Sequence, residues 1–218
     1  MLERFINARH TADPGQEDPA ATRQRLKDSF PAGAARRMTQ LGMLVGNAME
    51  ALQPRAADAI VYVSRFGESR ALEAFLDSFP AASPTLFQTS IHPSGVQQGL
   101  IARQRATPEV FPMAGSPAQV GHALLAALLA PAARSIVCGG EERATWLTER
   151  RAASERTFAF AIALEAAPTG STLGHLRLEP REGAGTLELE AWFDVLHGQR
   201  AFTGFVAPGW HLTLNWTK

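Results

Sequence analysis

A chain of 218 residues, 45% of them hydrophobic, has enough apolar sequence to bury a substantial core, and its 21 Lys+Arg balance 21 Asp+Glu. That balance leaves no strong field to gather nucleic acid or an anionic membrane, and a protein with so little self-repulsion tends to associate. The lone cysteine, Cys138, excludes an internal disulfide framework and a cysteine-based zinc cluster and points to a reducing compartment, the cytoplasm.

In chain order, MLERFINARH interleaves charges with apolar residues and does not read as a signal peptide. Residues 11–35 are rich in Pro, Ala and charge, and predict an irregular arm with one short helix near residues 21–29. Over residues 36–53, Met38, Leu41, Val45, Ala48 and Leu52 recur at helical spacing opposite Arg36, Gln40, Asn47 and Glu50, which predicts an amphipathic helix. Gly42 and Gly46 form a GxxxG pattern there, read as close backbone packing because no long apolar segment surrounds it. Residues 58–64 suit a strand buried on both faces of a mostly parallel sheet. A helix over 68–79 then places Leu72, Phe75, Leu76 and Phe79 on one side and stops at Pro80. Ser83-Pro84 opens a segment that turns helical from 95 to 104, and a short strand is expected at 109–113.

The best-defined element is a helix over 117–130, with Ser116 as N-cap, Pro117 at its first position and Gln119 completing a capping box. Between Val120 and Ala130 the only polar side chain is His122, so this helix calls for cover all round, yet it is too short to cross a bilayer. Residues 134–138 read as a buried strand ended by a tight turn at Gly139-Gly140. Glu141-Glu142 would repel a phosphate at that turn. The mixed-sign run Glu149, Arg150, Arg151, Glu155 and Arg156 reads as a solvated helix face. Further strands are expected at 157–164, 173–178 and 186–193. Helices alternating with strands as far as Cys138, then strand-rich sequence, indicate an α/β layered domain with a mixed sheet.

Candidate chemistry is sparse. Ala114 and Ala118 flank Ser116 where a nucleophile elbow needs glycines, and His92 with Ser94 are i,i+2 neighbours across a proline. The six histidines at 10, 92, 122, 175, 197 and 211 show no metal-ligand spacing, so no metal and no cofactor is expected. Two function classes stay open beside the reading below: an independent acyl-thioester or ester enzyme using a serine, and a structural or ligand-binding module.

The ordered set RRMTQLGMLVGNAMEAL, DAIVYVSRFGE, SPTLFQTSIHPSGVQQGL, PMAGSPAQVGHALLAALL and RSIVCGGEE resembles the N-terminal half of a β-ketoacyl synthase of thiolase fold, over residues 34–145. Residues 146–218 lie outside the resemblance, and 1–218 is taken as one ketoacyl-synthase-like domain. The chain is similar in particular to short ketoacyl-synthase-like proteins of aryl polyene and related pigment pathways, the chain-length-factor partners of a true synthase in polyketide or fatty-acid-type biosynthesis.

The resemblance implies a reactive cysteine at the start of the buried helix, where a helix N-terminus favours the thiolate. Ser116 and Pro117 hold that position here, and Cys138 reads as a small buried hydrophobe on a strand downstream. The family's two catalytic histidines come from a C-terminal half that this chain ends before; His92 and His122 match neither and read as structural or interfacial. The implied function is therefore that of a subunit with no catalytic residue of its own. It would pair with a catalytic β-ketoacyl synthase as a heterodimer, meet acyl carrier protein only indirectly through the synthase, and bind neither nucleic acid nor membrane. By the same resemblance, Phe87, Gln88, Thr89, Ser90, Ile91 and His92 are the candidates for the interface and the acyl-tunnel wall, with Phe87 and Ile91 setting tunnel length by their bulk. Lacking a synthase's second internal sheet, the apolar helix would be covered by the chain's own C-terminal strands, especially residues 187–193, or by the partner.

Overall fold

The chain opens as a strand. In the computed structural model, which describes every residue except His92, Pro108 and Lys218, β1 (Leu2–Ala12) precedes α1 (Pro19–Leu26), α2 (Ala32–Ala35), α3 (Gln40–Ala51), β2 (Ala59–Ser64), α4 (Ser69–Asp77), α5 (Pro84–Ser90) and α6 (Ser94–Ala102). There follow β3 (Glu109–Ala114), α7 (Gln119–Leu129), β4 (Arg134–Glu141), α8 (Trp146–Glu149), β5 (Phe158–Glu165), β6 (Gly174–Pro180), α9 (Leu189–His197), β7 (Phe202–Ala207) and β8 (Trp210–Trp216). Short polar side chains set several helix starts. Asp18 accepts from Ala20 N ahead of α1, Thr39 from Gly42 N ahead of α3, and Ser83 from Leu86 N ahead of α5. The Thr39 cap is why the helix expected from residue 36 begins at Gln40.

All eight named strands join one sheet in the order β3-β2-β4-β5-β1-β6-β8-β7. β2 runs parallel to β3 and β4, and every neighbouring pair from β4–β5 onward is antiparallel. The sheet is mixed, as the order of helices and strands in the sequence implied. Every residue of β2 and β4 is buried, because helices cover both of their faces. On one face α3, with α1 and α6, packs over Ile60, Tyr62, Ile136, Cys138 and the alanines 159, 161 and 163. On the other, α7 and α9 pack over Val61, Val63, Val137, Phe158, Phe160 and Ile162. The GxxxG glycines serve packing: Gly42 faces α6, and Gly46 faces Phe30 and Met38.

The C-terminal third departs most from expectation. Residues 186–193 do not form a strand: α9 occupies 189–197 and buries Leu189, Trp192, Phe193 and Leu196, a helical i, i+3, i+4, i+7 stripe. The short alternation of Leu187, Glu188, Leu189 and Glu190 imitates a strand only until that stripe takes over. Cover for α7 comes from α9 and from β7, which approaches so closely that a Cβ on Gly121 would lie 2.7 Å from Ala207 Cβ. The cover is incomplete: His122 and Leu129 are exposed and Leu125 and Ala126 half-buried, a stripe along α7 that the all-round expectation did not allow for. Gly139 and Gly140 are not a turn but lie inside β4. Added Cβ atoms there would stand 1.8 Å from Val63 O and 2.1 Å from Phe158 O, so only glycine lets the neighbouring strands approach. The charge run after residue 148 is not one helix face. α8 ends at Glu149, and Arg156 lies over Phe193 and pairs with Asp13 and Asp194.

Candidate functional site

The head of α7 is where the resemblance placed a degenerate nucleophile. Gly115, at φ +74°, turns the chain out of β3 into Ser116. Ser116 Oγ accepts from Ala118 N at 3.1 Å, and Ser116 O accepts from Gln119 N at 3.1 Å. Ser116 therefore caps a turn at 117–118, and the helix proper starts two residues later than expected, at Gln119. The buried Gln119 side chain donates to Ser116 O and accepts from Arg65 N, closing the corner between α7 and the loop after β2. Among the described residues no histidine or carboxylate bonds to Ser116 Oγ, so nothing there would take its proton. Pro117 is exposed and adds no reactive group. Cys138 lies within β4, fully buried, and burial pushes its thiol up to about 12. A thiol so placed stays protonated at neutral pH and is inert.

α5 carries most of the second set of candidates. It rests on α4 through Phe75, whose ring is 5.4 Å from that of Phe87 and 5.3 Å from that of Phe79. Phe87 is 50% exposed, Ile91 45%, Phe79 57% and Leu76 39%, so α4 and α5 together present apolar side chains to the outside. Phe79 and Leu76 join Phe87 and Ile91 through the third dimension, a grouping the linear segment did not reveal. Gln88 is exposed, whereas Thr89 Oγ1 donates back to Leu86 O and Ser90 Oγ to Phe87 O, turning both hydroxyls onto their own helix. His92 lies outside the described residues. Nearby in sequence, β3 forms one edge of the sheet, with one row of backbone groups unpaired by any strand and Pro112 in its middle, where only an edge strand tolerates proline.

A third constellation escaped the sequence reading. Glu68, Glu141 and Glu142 are all buried. Glu68 accepts from Ser94 Oγ at 2.8 Å and from Thr39 Oγ1, beside the backbone of Gly42 and Gly95, yet burial still raises it. Burial and then the charge of Glu68 push Glu142 up to about 8, although it accepts from Arg70 N at 2.9 Å and Leu41 N at 3.2 Å. Burial takes Glu141 to about 7 against the amides of Arg65 and Phe66. Burial would also raise Glu73, but Thr145 Oγ1 at 2.6 Å and the amides of Thr145 and Leu147 hold it below its ordinary value. Hydropathy gives no sign of these groups, because a carboxylate that accepts backbone N–H groups scores like a solvated one. Among the described residues no cluster of His, Cys, Asp and Glu could hold a metal ion, and no helix is long and apolar enough to cross a membrane.

Comparison with known proteins bears on this arrangement as a whole. The family model described as beta-ketoacyl synthase, N-terminal domain, matches residues 9–190, farther in both directions than the five motifs reach. A search of curated proteins gave no match. Among solved structures, that of a ketosynthase in complex with its chain length factor from Xenorhabdus doucetiae aligns with a TM-score of 0.71 at 20% identity, covering 99% of this chain and 100% of the matched one. The ishigamide ketosynthase/chain length factor aligns at 0.56 and 13% identity, over 84% of this chain and 68% of the other. A type II polyketide synthase acyl-carrier protein in complex with its ketosynthase bound to the hexaketide gives 0.52 and 10%, over 83% and 70%. At such identities the likeness is one of fold, the thiolase-like arrangement of ketosynthases.

Proposed function

The chain belongs to the β-ketoacyl synthase family, whose N-terminal domain it matches, and from that premise we propose that it is a non-catalytic, chain-length-factor-like subunit that pairs with a catalytic β-ketoacyl synthase. The observation that carries the reading is the head of α7. Where a synthase would present its thiolate, Ser116 Oγ is committed to Ala118 N, and the one cysteine is buried in a strand with its thiol pushed up to about 12. The exposed Phe79, Phe87 and Ile91 and, separately, the open edge of β3 support pairing, since exposed apolar side chains and an unpaired strand edge each invite a partner. The overlap with one chain of the Xenorhabdus doucetiae complex, over 99% of this chain and 100% of that one, supports the same reading.

In this account 1–218 is one domain, working in the cytoplasm in an aryl polyene or related polyketide or fatty-acid-type pathway. Phe87 to Ile91 form part of the contact with the synthase and of the wall of its acyl tunnel. Acyl carrier protein is met through the synthase. The purified chain alone should turn over neither acyl thioesters nor simple esters, and turnover abolished by Ser116→Ala would replace this reading with that of an independent serine enzyme.

A further inference from the structure

Three helices of this fold start from one buried point. α3, α4 and α6 each leave backbone N–H groups and a partial positive charge at their first turn. Glu68 lies against the first turns of α3 and α6 at Gly42 and Gly95 and accepts from the hydroxyls of Ser94 and of Thr39, whose Oγ1 in turn takes Gly42 N. Glu142, beyond the end of β4, collects Leu41 N from α3 and Arg70 N from α4. The two carboxyls are 1% and 0% exposed, and among the described residues neither forms an ion pair. The groups that face them are Arg70 of α4, the Tyr62 phenol of β2, beside that phenol Glu141 and Cys138 of β4, and beside Glu141 the Arg65 of the loop after β2. Two adjacent carboxylates this deep cannot both stay ionised without a cation, because repulsion and desolvation act in the same direction.

We propose that Glu68 and Glu142 hold one proton between them in the folded chain, and that this shared proton is the latch that lets α3, α4 and α6 start from one point. Arg70, whose amide feeds Glu142, also lines an open cleft of about 660 Å³ with Arg143 and Thr145, which brings the pair within one residue of solvent. Losing the proton sets two charges against each other at the root of α4, which leads directly into α5 and its exposed Phe87.

The sign follows from linkage. The folded chain binds this proton more tightly than the unfolded chain, so the contribution is fully present below the ordinary carboxyl pKa and is lost as pH rises through the folded value, about 8 for Glu142. Infrared difference spectroscopy on the unmodified chain should show a protonated carboxyl at about pH 6 that disappears with a midpoint near pH 8. Glu141, pushed to about 7, adds a lower step that Glu141→Gln removes while leaving the upper one. Glu142→Gln keeps an acceptor for Arg70 N, abolishes the upper step and flattens the fall of melting temperature between about pH 6 and pH 9. At the alkaline end it should melt about 5 °C above the parent. Absence of the upper step in the parent chain, or an unchanged slope in a folded Glu142→Gln variant, would overturn the inference. The infrared titration decides the matter even if the variant does not fold.

Discussion

Gly42 and Gly95 meet backbone to backbone: a Cβ built on Gly95 would lie 2.5 Å from Gly42 Cα and 2.7 Å from its carbonyl oxygen. α3 and α6 cross at this pair, directly above Glu68. Gly95→Ala forces the crossing apart and should cost about 1–3 kcal/mol in denaturant unfolding. One turn along, a Cβ on Gly99 meets only Met49 Cε at 3.5 Å, so Gly99→Ala should be neutral or stabilising by up to about 1 kcal/mol. Equal losses from both substitutions would contradict the close crossing.

Arg134 ties the start of β4 to the end of α3. Its guanidinium lies 2.6 Å from Asp58 Oδ2 and 2.6 Å from Leu52 O, in a place where both charged side chains are buried. Asp58→Asn leaves that charge without its main partner, although Glu165 remains 3.4 Å away. A loss of about 3 kcal/mol is expected in the same unfolding measurement. A change below about 0.5 kcal/mol would show the pair to be dispensable.

Cys138 should resist alkylation. With its thiol pushed up to about 12 and its side chain inside β4, labelling by iodoacetamide near pH 8 should proceed only as fast as the chain opens, and should accelerate steeply in denaturant. Rapid labelling of the folded chain would place the thiol in a different environment and reopen the question of a nucleophile.

Phe87 offers a test of the tunnel wall. Half exposed and held through Phe75, it can be trimmed without opening the core, so Phe87→Ala should change folding stability by less than about 1 kcal/mol. The same change should weaken pairing with the synthase about tenfold and lengthen the acyl products of the pair. An unchanged product distribution, measured by mass spectrometry, would remove Phe87 from the tunnel.

The sequence displayed much of this fold and little of its junctions. α3, β2 and α7 followed from apolar spacing, because each buries a regular face or lies wholly inside, whereas α4 followed from the same spacing although the face it marks stays partly open, with Leu76 and Phe79 exposed. β1 escaped because a register shift between Ile6 and Ala8 breaks the alternation that would have marked it, and charged Arg4 and Arg9 are spent on carbonyls of Leu128 and Leu196. α9 escaped because four alternating residues precede its helical stripe. The Gly139-Gly140 pair signals a turn locally, and only the closeness of Val63 and Phe158 across the sheet explains it as strand. Of the candidate site, the missing thiol at the head of α7 was legible from residue identity. The contact of Phe87 with Phe75 of α4, and the burial of Glu68 and Glu142, are tertiary facts that no local pattern encodes.

The most direct measurement is the mass of what this chain forms with a synthase. Co-expressed with the β-ketoacyl synthase encoded nearest to it and purified through a tag on either partner, the chain should elute with the synthase, and light scattering should give the summed mass of one copy of each. A monodisperse lone chain beside an independent synthase homodimer would contradict the account.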